Sequence, residues 1–331
     1  MNSSARTAAE CSDFLRKEAQ TPLHEYFLVC GSPWEIWTNS ESILEAARET
    51  FIPIDKPRAS VEFAVRLWVD SEHAAGPPWP KPYVRGLDHL VFAGFDSGSS
   101  ALLDLRTHRI AGRFSPQMGA DCDYWKTVIF PIFLSIAGGS IGLAEIHSAC
   151  VASGGDGLLL AGPSGSGKST LSVALAQTGF GFLSDDRAVC ALQNSKLFAW
   201  GMPTLVKLRR DAEEWLKGLR EQQAAELQNE ELVFRFRPER LGLPSVRQCE
   251  PRLIVFLERQ QDSIFCMKPI SADEAAHRIE NELMAESPEA LERQAQTINR
   301  LSQLACYRLA YGGRPPVVAE RLARHFEQLT S

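Results

Sequence analysis

The octapeptide Gly162-Pro-Ser-Gly-Ser-Gly-Lys-Ser169 constrains the fold of this chain more than any other feature of its sequence. It fits the pattern G-x-x-x-x-G-K-[ST], in which glycines let the backbone curl and point successive N–H groups at the phosphates of a nucleotide. An apolar run at 158–161 precedes the motif, and an amphipathic segment at 168–177 follows it. This context predicts a strand, a phosphate-binding loop (P-loop) and a helix, and thus an α/β fold.

The motif also defines the residues that we expect to contact a nucleotide. A P-loop surrounds phosphates with its own backbone at the start of a helix, so we include every residue of the motif and the threonine after it. These residues are Gly162, Pro163, Ser164, Gly165, Ser166, Gly167, Lys168, Ser169 and Thr170. The expected ligands are ATP and Mg²⁺, with Ser169 binding the metal and Lys168 acting as a catalytic charge on the phosphates.

A pair of adjacent carboxylates follows the next predicted strand. Residues 181–184 form an apolar strand after the helix, in an α/β unit with parallel strands, and Asp185 and Asp186 come directly after it. Ligands of open α/β sheets gather at the carboxyl ends of parallel strands, so we expect this pair beside the P-loop. One carboxylate there can bind Mg²⁺ while the other accepts the proton of an attacking hydroxyl. A solvated turn is the alternative interpretation.

His147 is a third candidate, on the predicted strand before residues 158–161. Histidine can exchange a proton near neutral pH, which suits a catalytic role. A lone histidine in a sheet is also compatible with a hydrogen-bonded core residue. Spacing alone leaves both interpretations open.

Together these segments resemble a known family. His147-Ser-Ala-Cys-Val-Ala, the P-loop with its preceding strand, and Leu183-Ser-Asp-Asp186 look like the catalytic core of HPr kinase/phosphorylase, and more specifically of HPr-kinase-related proteins. That core also resembles the nucleotide-binding part of phosphoenolpyruvate carboxykinases. The resemblance runs over residues 124–329 and is specific only from 146 to 189. It implies that Asp185 is the base toward a serine hydroxyl, that Asp186 helps to bind Mg²⁺, that His147 lies near the catalytic carboxylate, and that the protein forms homo-oligomers.

Two features differ from the pattern of that family. The bifunctional enzymes have an acidic Mg²⁺ ligand soon after the aspartate pair, whereas residues 198–210 here contain no carboxylate. This difference argues against phosphorylase activity, in which inorganic phosphate attacks a phosphoserine. The amino-terminal half shows no match to the family. Four cations either stabilise the transferred phosphoryl group or are ordinary surface charges: Lys207, Arg209, Arg235 and Arg237.

The first half of the chain predicts a β-rich unit. Segments 26–30, 61–69, 89–95 and 101–114 are rich in branched and aromatic residues, and 41–50 has helical character. We therefore expect a β-rich recognition domain over residues 1–120 and a P-loop kinase domain over 121–331. We expect the acceptor to be bound by the first domain and by a polar segment around 217–237, of which 217–229 is exposed and helix-forming. Four tryptophans of the first domain either form a pocket for an extended peptide or fill the core of that domain: Trp34, Trp37, Trp68 and Trp79.

Composition excludes several classes of protein. The chain has 35 basic and 41 acidic side chains and a net charge of −6, which argues against a nucleic-acid-binding protein. Its eight cysteines lack the close spacing of zinc or redox sites, so we expect reduced thiols in a cytoplasmic protein. The uncharged run 127–144 is long enough for a membrane span. Pro131 and the Gly138-Gly139-Ser140 cluster interrupt it, so we expect a buried helix, a core strand and no membrane.

Other P-loop proteins fit the sequence less well. An ABC-type ATPase needs an LSGGQ-like segment, which the chain lacks, and the strand around 253–257 ends in Glu258-Arg259 rather than Asp-Glu. A small-metabolite kinase and a regulator that binds ATP without catalysis remain alternatives. The sequence favours a kinase that transfers the γ-phosphoryl group of ATP to a serine hydroxyl of a protein or peptide.

Overall fold

The architecture is that of a computed structural model, which describes residues 18–57, 60–70, 76–202, 205–222, 225–228, 231–262, 264–283 and 288–330. These residues form a mixed α/β fold with three sheets, in agreement with the predicted fold class. Within the same ranges, the chain contains no helix with the length and apolar character needed to cross a membrane.

The amino-terminal part is mainly β. Eight described strands form one sheet: β1 (Leu23–Val29), β2 (Ser32–Thr38), β3 (Ile52–Ile54), β4 (Phe63–Val69), β5 (Tyr83–Leu87), β6 (Leu90–Gly94), β7 (Ser100–Asp104) and β8 (Arg109–Phe114). Their order is β3-β1-β2-β4-β8-β7-β6-β5, which puts β5 at one edge. β7 and β8 pair antiparallel and form a hairpin around residues 106–109.

Short helices cover one face of this sheet. They are α1 (Glu41–Thr50), α2 (Pro116–Gly119), α3 (Cys122–Tyr124) and, after the π-helical turn Trp125–Ile129, α4 (Phe130–Ser140). Trp125 and Phe133 are fully buried in the same hydrophobic cluster as Trp34 and Phe114 of the sheet. The buried helix predicted within 127–144 is confirmed. Trp34 is a core residue rather than part of a recognition surface.

The hydrophobic cluster of the first sheet extends into the second half of the chain. Besides the helix residues, it includes Val189 and Trp200, which belong to strands of the next sheet. The division of the chain at residue 120 therefore stays a prediction about sequence units, because side chains from both sides of that position share one core.

The second sheet contains nine described strands. They are β9 (Ala144–Ile146), β10 (Ser148–Ser153), β11 (Asp156–Ala161), β12 (Gly181–Ser184), β13 (Ala188–Gln193), β14 (Lys196–Gly201), β18 (Gln248–Arg259), β19 (Phe265–Pro269) and β20 (Ala305–Tyr311). The order is β12-β10-β11-β18-β14-β13-β9, with β20 beside β18 and β19 beside β20. β11, β18 and β20 run parallel and form its central part.

The expectation of a simple parallel unit around the P-loop needs a correction. β11 and β12 are not neighbours, because β10 lies between them and is antiparallel to both. α5 (Lys168–Gln177) therefore crosses over one intervening strand between β11 and β12. The amino-terminal end of β10 lies at the edge where β11 and β12 end, so residues before β10 reach the same edge as residues after β11 and β12.

A small third sheet corrects the interpretation of the polar segment. It contains β15 (Val206–Arg209), β16 (Ala225–Gln228) and β17 (Glu231–Phe236), in the order β15-β17-β16. The helix expected in this region is limited to a short 3-10 turn at Leu219–Glu221. Leu219 is buried in a cluster with Val206 and Phe234, so burial of apolar side chains overrides the helical propensity of the flanking polar residues.

Three further helices complete the fold: α6 (Ala272–Glu282), α7 (Pro288–Ser302) and α8 (Pro315–Thr330). Ser271 caps the start of α6, because its side chain accepts a hydrogen bond from the Glu274 N–H at 3.2 Å. Seven cysteines lie in the described part of the chain, and each of these is a free thiol.

Candidate phosphate-binding and catalytic site

Three chain segments meet at one edge of the second sheet. Ser148, the first residue of β10, pairs with Ala161, the last residue of β11, and Cys150 pairs with Ser184 at the end of β12. His147, Gly162 and Asp185 are the residues next to these positions. The strand register therefore brings together the histidine, the P-loop and the aspartate pair that the sequence singles out.

The P-loop is a left-handed turn that leads directly into α5. Gly167 caps the helix with φ of +94°, a backbone conformation that residues other than glycine rarely adopt. The ammonium group of Lys168 donates hydrogen bonds to the carbonyls of Gly162, at 2.5 Å, and Pro163, at 3.4 Å. Lys168 thus lies against the loop whose backbone would surround phosphates.

Lys168 is buried beside acidic side chains. Only 6% of its surface is exposed. Burial lowers its pKa, while the charges of Glu282, Asp186 and Asp185 raise it in turn. The ammonium group of Lys168 thus lies among three carboxylates. A bound polyphosphate with its metal ion would change the electrostatic environment of this group.

Asp185 is the most buried of these acids. It is 4% exposed, and its Oδ2 accepts a hydrogen bond from the backbone N–H of Lys207 at 3.3 Å. Ser169 of the P-loop lines the same cavity as this carboxylate. Burial raises the pKa of Asp185 to about 6, with a smaller contribution from the charge of Asp186, while the hydrogen bonds oppose the rise. A carboxylate with such a pKa is suited to accept a proton near neutral pH.

Asp186 is more exposed and is held by His147. The His147 Nε2 is 3.1 Å from Asp186 Oδ1, and the other ring nitrogen, Nδ1, is 3.1 Å from Glu282 Oε2. The backbone N–H of His147 also donates to the Glu282 carbonyl at 2.8 Å. His147 lies in a bend between β9 and β10, not within a strand as expected. It links a carboxylate of the pair to a carboxylate on α6.

Sequence reasoning missed Glu282. It lies 135 residues after His147, at the end of α6, and its side chain is 15% exposed. The helix itself is predictable from its cap, but no motif marks this glutamate among the other acidic residues of α6. Residues 198–210 contain no carboxylate, and the third acid of the site comes from α6 instead.

Arg187 extends the network to α4. Its Nη1 donates to Glu145 Oε1 at 3.1 Å and to the Ser135 hydroxyl at 3.4 Å, and its Nε is 3.8 Å from Asp186 Oδ2. Glu145 also accepts a hydrogen bond from Ser135. The aspartate pair is thereby connected to the helix that packs on the first sheet.

The structure separates the four candidate cations. Lys207 lines a cavity with Asp185, and it pairs with Arg235 across β15 and β17, so the two share one face of the small sheet. Arg209 lies two residues from Lys207 on β15 and shares that face. Arg237 instead donates to Asp123 Oδ1 at 2.5 Å, in an ion pair with the α3 region. Of these four cations, Lys207 is the one that lines the cavity with Asp185.

The residues present fit Mg²⁺ only if phosphate oxygens complete the site. Among the described residues, no three His, Cys, Asp or Glu side chains are grouped closely enough to hold a metal ion. Ser169 and the aspartate pair nevertheless offer hydroxyl and carboxylate oxygens at one place. Mg²⁺ is typically coordinated by one or two carboxylates together with substrate phosphates and water, and these residues offer ligands of that kind.

Two cavities are lined by residues of the P-loop motif. One, of about 530 Å³, is lined by residues 162–166, by the end of β18 and by Arg278, Asn281 and Glu282 of α6. The other, of about 490 Å³, contains Ser169 and the aspartate pair. The site thus has one opening beside the phosphate-binding loop and another beside the candidate base.

The similarity of this chain to known proteins is low. No family model matches the chain, and no curated protein matches it. Among solved structures, it is similar to the Hpr(Ser) kinase/phosphatase from Coxiella burnetii, with 16% identity over 56% of this chain and 90% of that chain, and a TM-score of 0.30. The function proposed below therefore rests on the geometry of the site.

Proposed function

We propose that this protein is a cytoplasmic ATP-dependent kinase, which transfers the γ-phosphoryl group to a serine hydroxyl of a protein or peptide. The observation that carries the proposal is that Ser169 of the P-loop and the buried Asp185 line one cavity, with Lys168 against the same loop. A phosphate-binding charge, a hydroxyl of the type that binds Mg²⁺ and a carboxylate with a raised pKa are the three groups that phosphoryl transfer needs.

The proposed reaction depends mainly on position and charge. The backbone N–H groups of the P-loop and Lys168 would bind the β- and γ-phosphates. The serine oxygen forms a bond to the γ-phosphorus as the bond from phosphorus to the bridging oxygen breaks, and ADP leaves. Asp185 takes the proton of the serine hydroxyl, for which its pKa of about 6 is suitable.

Ser169 and Asp186 would hold Mg²⁺, with phosphate oxygens as further ligands. Mg²⁺ held there would supply positive charge that neutralises the phosphates of the leaving group. In this assignment His147 and Glu282 orient Asp186, because the His147 ring contacts both carboxylates at 3.1 Å. The free thiols of the described cysteines support a reducing compartment.

The test combines nucleotide binding with phosphoryl transfer. Calorimetry with Mg²⁺ and ATP should show binding to the parent protein and a loss of affinity of at least about tenfold in Lys168→Ala, since a charge on the phosphates is removed. Lys196→Ala is the matched control, because Lys196 is exposed at the start of β14. If folded Lys168→Ala and the parent bind MgATP with equal affinity, the assignment of Lys168 to the phosphates is refuted.

Transfer from radiolabelled ATP to candidate acceptors separates the remaining alternatives. Label on serine-containing peptides or proteins supports the proposal. Label on small hydroxyl compounds only would identify a small-metabolite kinase, and binding of ATP with no transfer to any acceptor would identify a regulator.

A further inference from the structure

The cavity that contains the aspartate pair has one polar end and one aliphatic wall. Ser169, Asp185 and Asp186 form the polar end, and the other polar residues of the lining are Thr127, Ser135, Arg187 and Lys207. The wall is built from apolar side chains of the helical segment, of the first sheet and of the chain before β15: Val84, Val128, Pro131, Ile132, Ile136 and Leu205. A hydroxyl that reaches Asp185 through this cavity therefore lies beside an aliphatic surface.

The lining of the cavity restricts the acceptor. A sugar or other polyol needs hydrogen-bonding groups around most of its surface. Six of the thirteen lining residues are apolar, and their side chains offer it no hydrogen bond. The volume of about 490 Å³ is that of a small-ligand site, so a few side chains fit while a folded domain does not. The chemistry favours a hydroxyl that is carried next to an aliphatic side chain.

β5 lies at the rim of this cavity. Val84 of β5 lines the wall, and no other strand in the described part of the chain pairs with β5 on the side away from β6. Two side chains of β5 are unusually exposed for apolar residues, Tyr83 at 51% and Leu87 at 76%. An exposed apolar strand edge is a ready template for pairing with another extended chain.

The hairpin geometry shows which backbone groups are available. Leu87 and Leu90 flank a two-residue turn and pair with each other, so hydrogen-bonded pairs alternate from there along β5 and β6. The backbone groups of Val84 and Gly86 therefore point away from β6. The Val84 carbonyl accepts a hydrogen bond from the side chain of Arg85 at 2.8 Å, a contact that a pairing strand can replace.

We propose that β5 binds the acceptor as an extended peptide, which adds a strand to the first sheet and directs its serine into the cavity toward Asp185. This inference rests on the proposed kinase function and names the form of its substrate. Side chains of the added strand that lie on the same face as Val84 point toward the cavity, and residues two positions apart share a face. The preferred sequence thus has an aliphatic residue two positions before or after the serine.

The first experiment uses short synthetic peptides with one serine and radiolabelled ATP. The positions next to the serine and two residues away from it are changed in turn to leucine, aspartate or glycine. An aliphatic residue two positions away should raise kcat/KM by about tenfold or more over aspartate there, because a leucine side chain gains by burial against the aliphatic wall while a carboxylate loses its hydration. The adjacent position points to the opposite face and should have a smaller effect.

The second experiment tests the strand pairing. Gly86→Pro removes the N–H that points away from β6, and proline is tolerated at a sheet edge. Gly86→Ala is the matched control, since a Cβ there meets no atom within 4 Å. We expect the KM for the best peptide to be at least about tenfold higher in Gly86→Pro than in Gly86→Ala, through loss of a hydrogen bond and the bulk of the ring. Hydrogen exchange should show that this peptide protects the Val84 and Gly86 amides.

The outcomes separate this inference from the proposed function. If the parent protein neither binds MgATP nor transfers phosphate to any acceptor, the proposed function itself is refuted. MgATP binding with no peptide phosphorylated would refute the extended-peptide acceptor and leave a folded acceptor. Equal KM values in the two Gly86 variants, or no protection of the Val84 and Gly86 amides, would overturn the pairing with β5.

Discussion

The hydroxyl of Tyr311 donates a hydrogen bond to the backbone carbonyl of Ser166, with 2.5 Å between the two oxygens. Tyr311 ends β20 and lies 145 residues beyond the P-loop residue that it contacts. Its ring is largely buried, and burial raises the pKa of its hydroxyl to about 12, so the hydroxyl stays a donor at any ordinary pH. β20 therefore stabilises the P-loop through a contact that the motif itself does not include.

We predict that Tyr311→Phe weakens both the fold and nucleotide binding. The Ser166 carbonyl loses its donor, which should lower the free energy of unfolding by about 1–2 kcal/mol. A less ordered loop should also bind MgATP more weakly. Urea unfolding and calorimetry measure the two effects. Tyr307→Phe on the same strand is the control, and an equal loss in both variants would show that the hydroxyl of Tyr311 has no special role.

A second substitution tests the same contact from the loop. Gly167→Ala places a Cβ against the Tyr311 hydroxyl and imposes φ of +94° on an alanine. We expect destabilisation of about 1–3 kcal/mol. In the double variant with Tyr311→Phe, the collision is relieved while the strain in φ persists. The combined loss should then be smaller than the sum of the two single losses by about 0.5 kcal/mol or more. Additive losses would contradict the contact.

Asp185→Asn should make the protein less active and more stable. The folded-state pKa of about 6 lies above the ordinary value of 3.8. The folded protein therefore binds this proton more tightly, and its stability without nucleotide falls as the pH rises from about 4 to 6. The neutral asparagine avoids this cost and should gain up to about 3 kcal/mol at pH 7.5. Urea unfolding at pH 4 and pH 7.5 measures the gain, with the half-exposed Asp186→Asn as the control.

The two aspartates should differ in their kinetic effects. Asp185→Asn removes the proton acceptor and should lower phosphoryl transfer by about 10²-fold or more, with a modest loss of nucleotide binding. Asp186→Asn should instead raise the Mg²⁺ concentration needed for half-maximal activity. Initial rates over a Mg²⁺ series distinguish the two. If the variants show the opposite behaviour, the site is correct but the roles are exchanged.

Removal of residues 1–119 should prevent folding rather than isolate a kinase core. Trp125, Ile129 and Phe133 are fully buried against the first sheet, and the truncation would expose them. Exposure of three such side chains costs about 1.5–3 kcal/mol each, close to the stability of a whole domain. Circular dichroism and solubility of the fragment test this. A folded, ATP-binding fragment would refute the shared core.

The elements that local chemistry controls could be predicted closely. The bounds predicted for α1, α5 and β12 match the structure, because each is marked by its own periodicity or by glycines at its ends. The P-loop was evident because each of its positions has a separate chemical requirement. Local pattern carries this information without knowledge of the tertiary structure.

Strand order and long-range contacts could not be predicted in the same way. No local pattern shows that β10 inserts between β11 and β12, or that β16 and β17 replace the expected helix. Glu282 and Tyr311 reach the site only through the packing of α6 and β20. Such contacts depend on how distant segments pack, and this single sequence gave no signal of that packing.

The helical segment 125–140 has a consequence for protein engineering. It packs with the first sheet, and Pro131 and Ile132 also line the cavity with Asp185. A chimera that exchanges the first sheet between related proteins at residue 120 would pair a foreign sheet with a native helix and alter the wall of the cavity. An exchange that keeps residues 18–140 together preserves the contact between sheet and helix and every apolar residue of the wall except Leu205, so that segment is the natural unit for transferring acceptor preference.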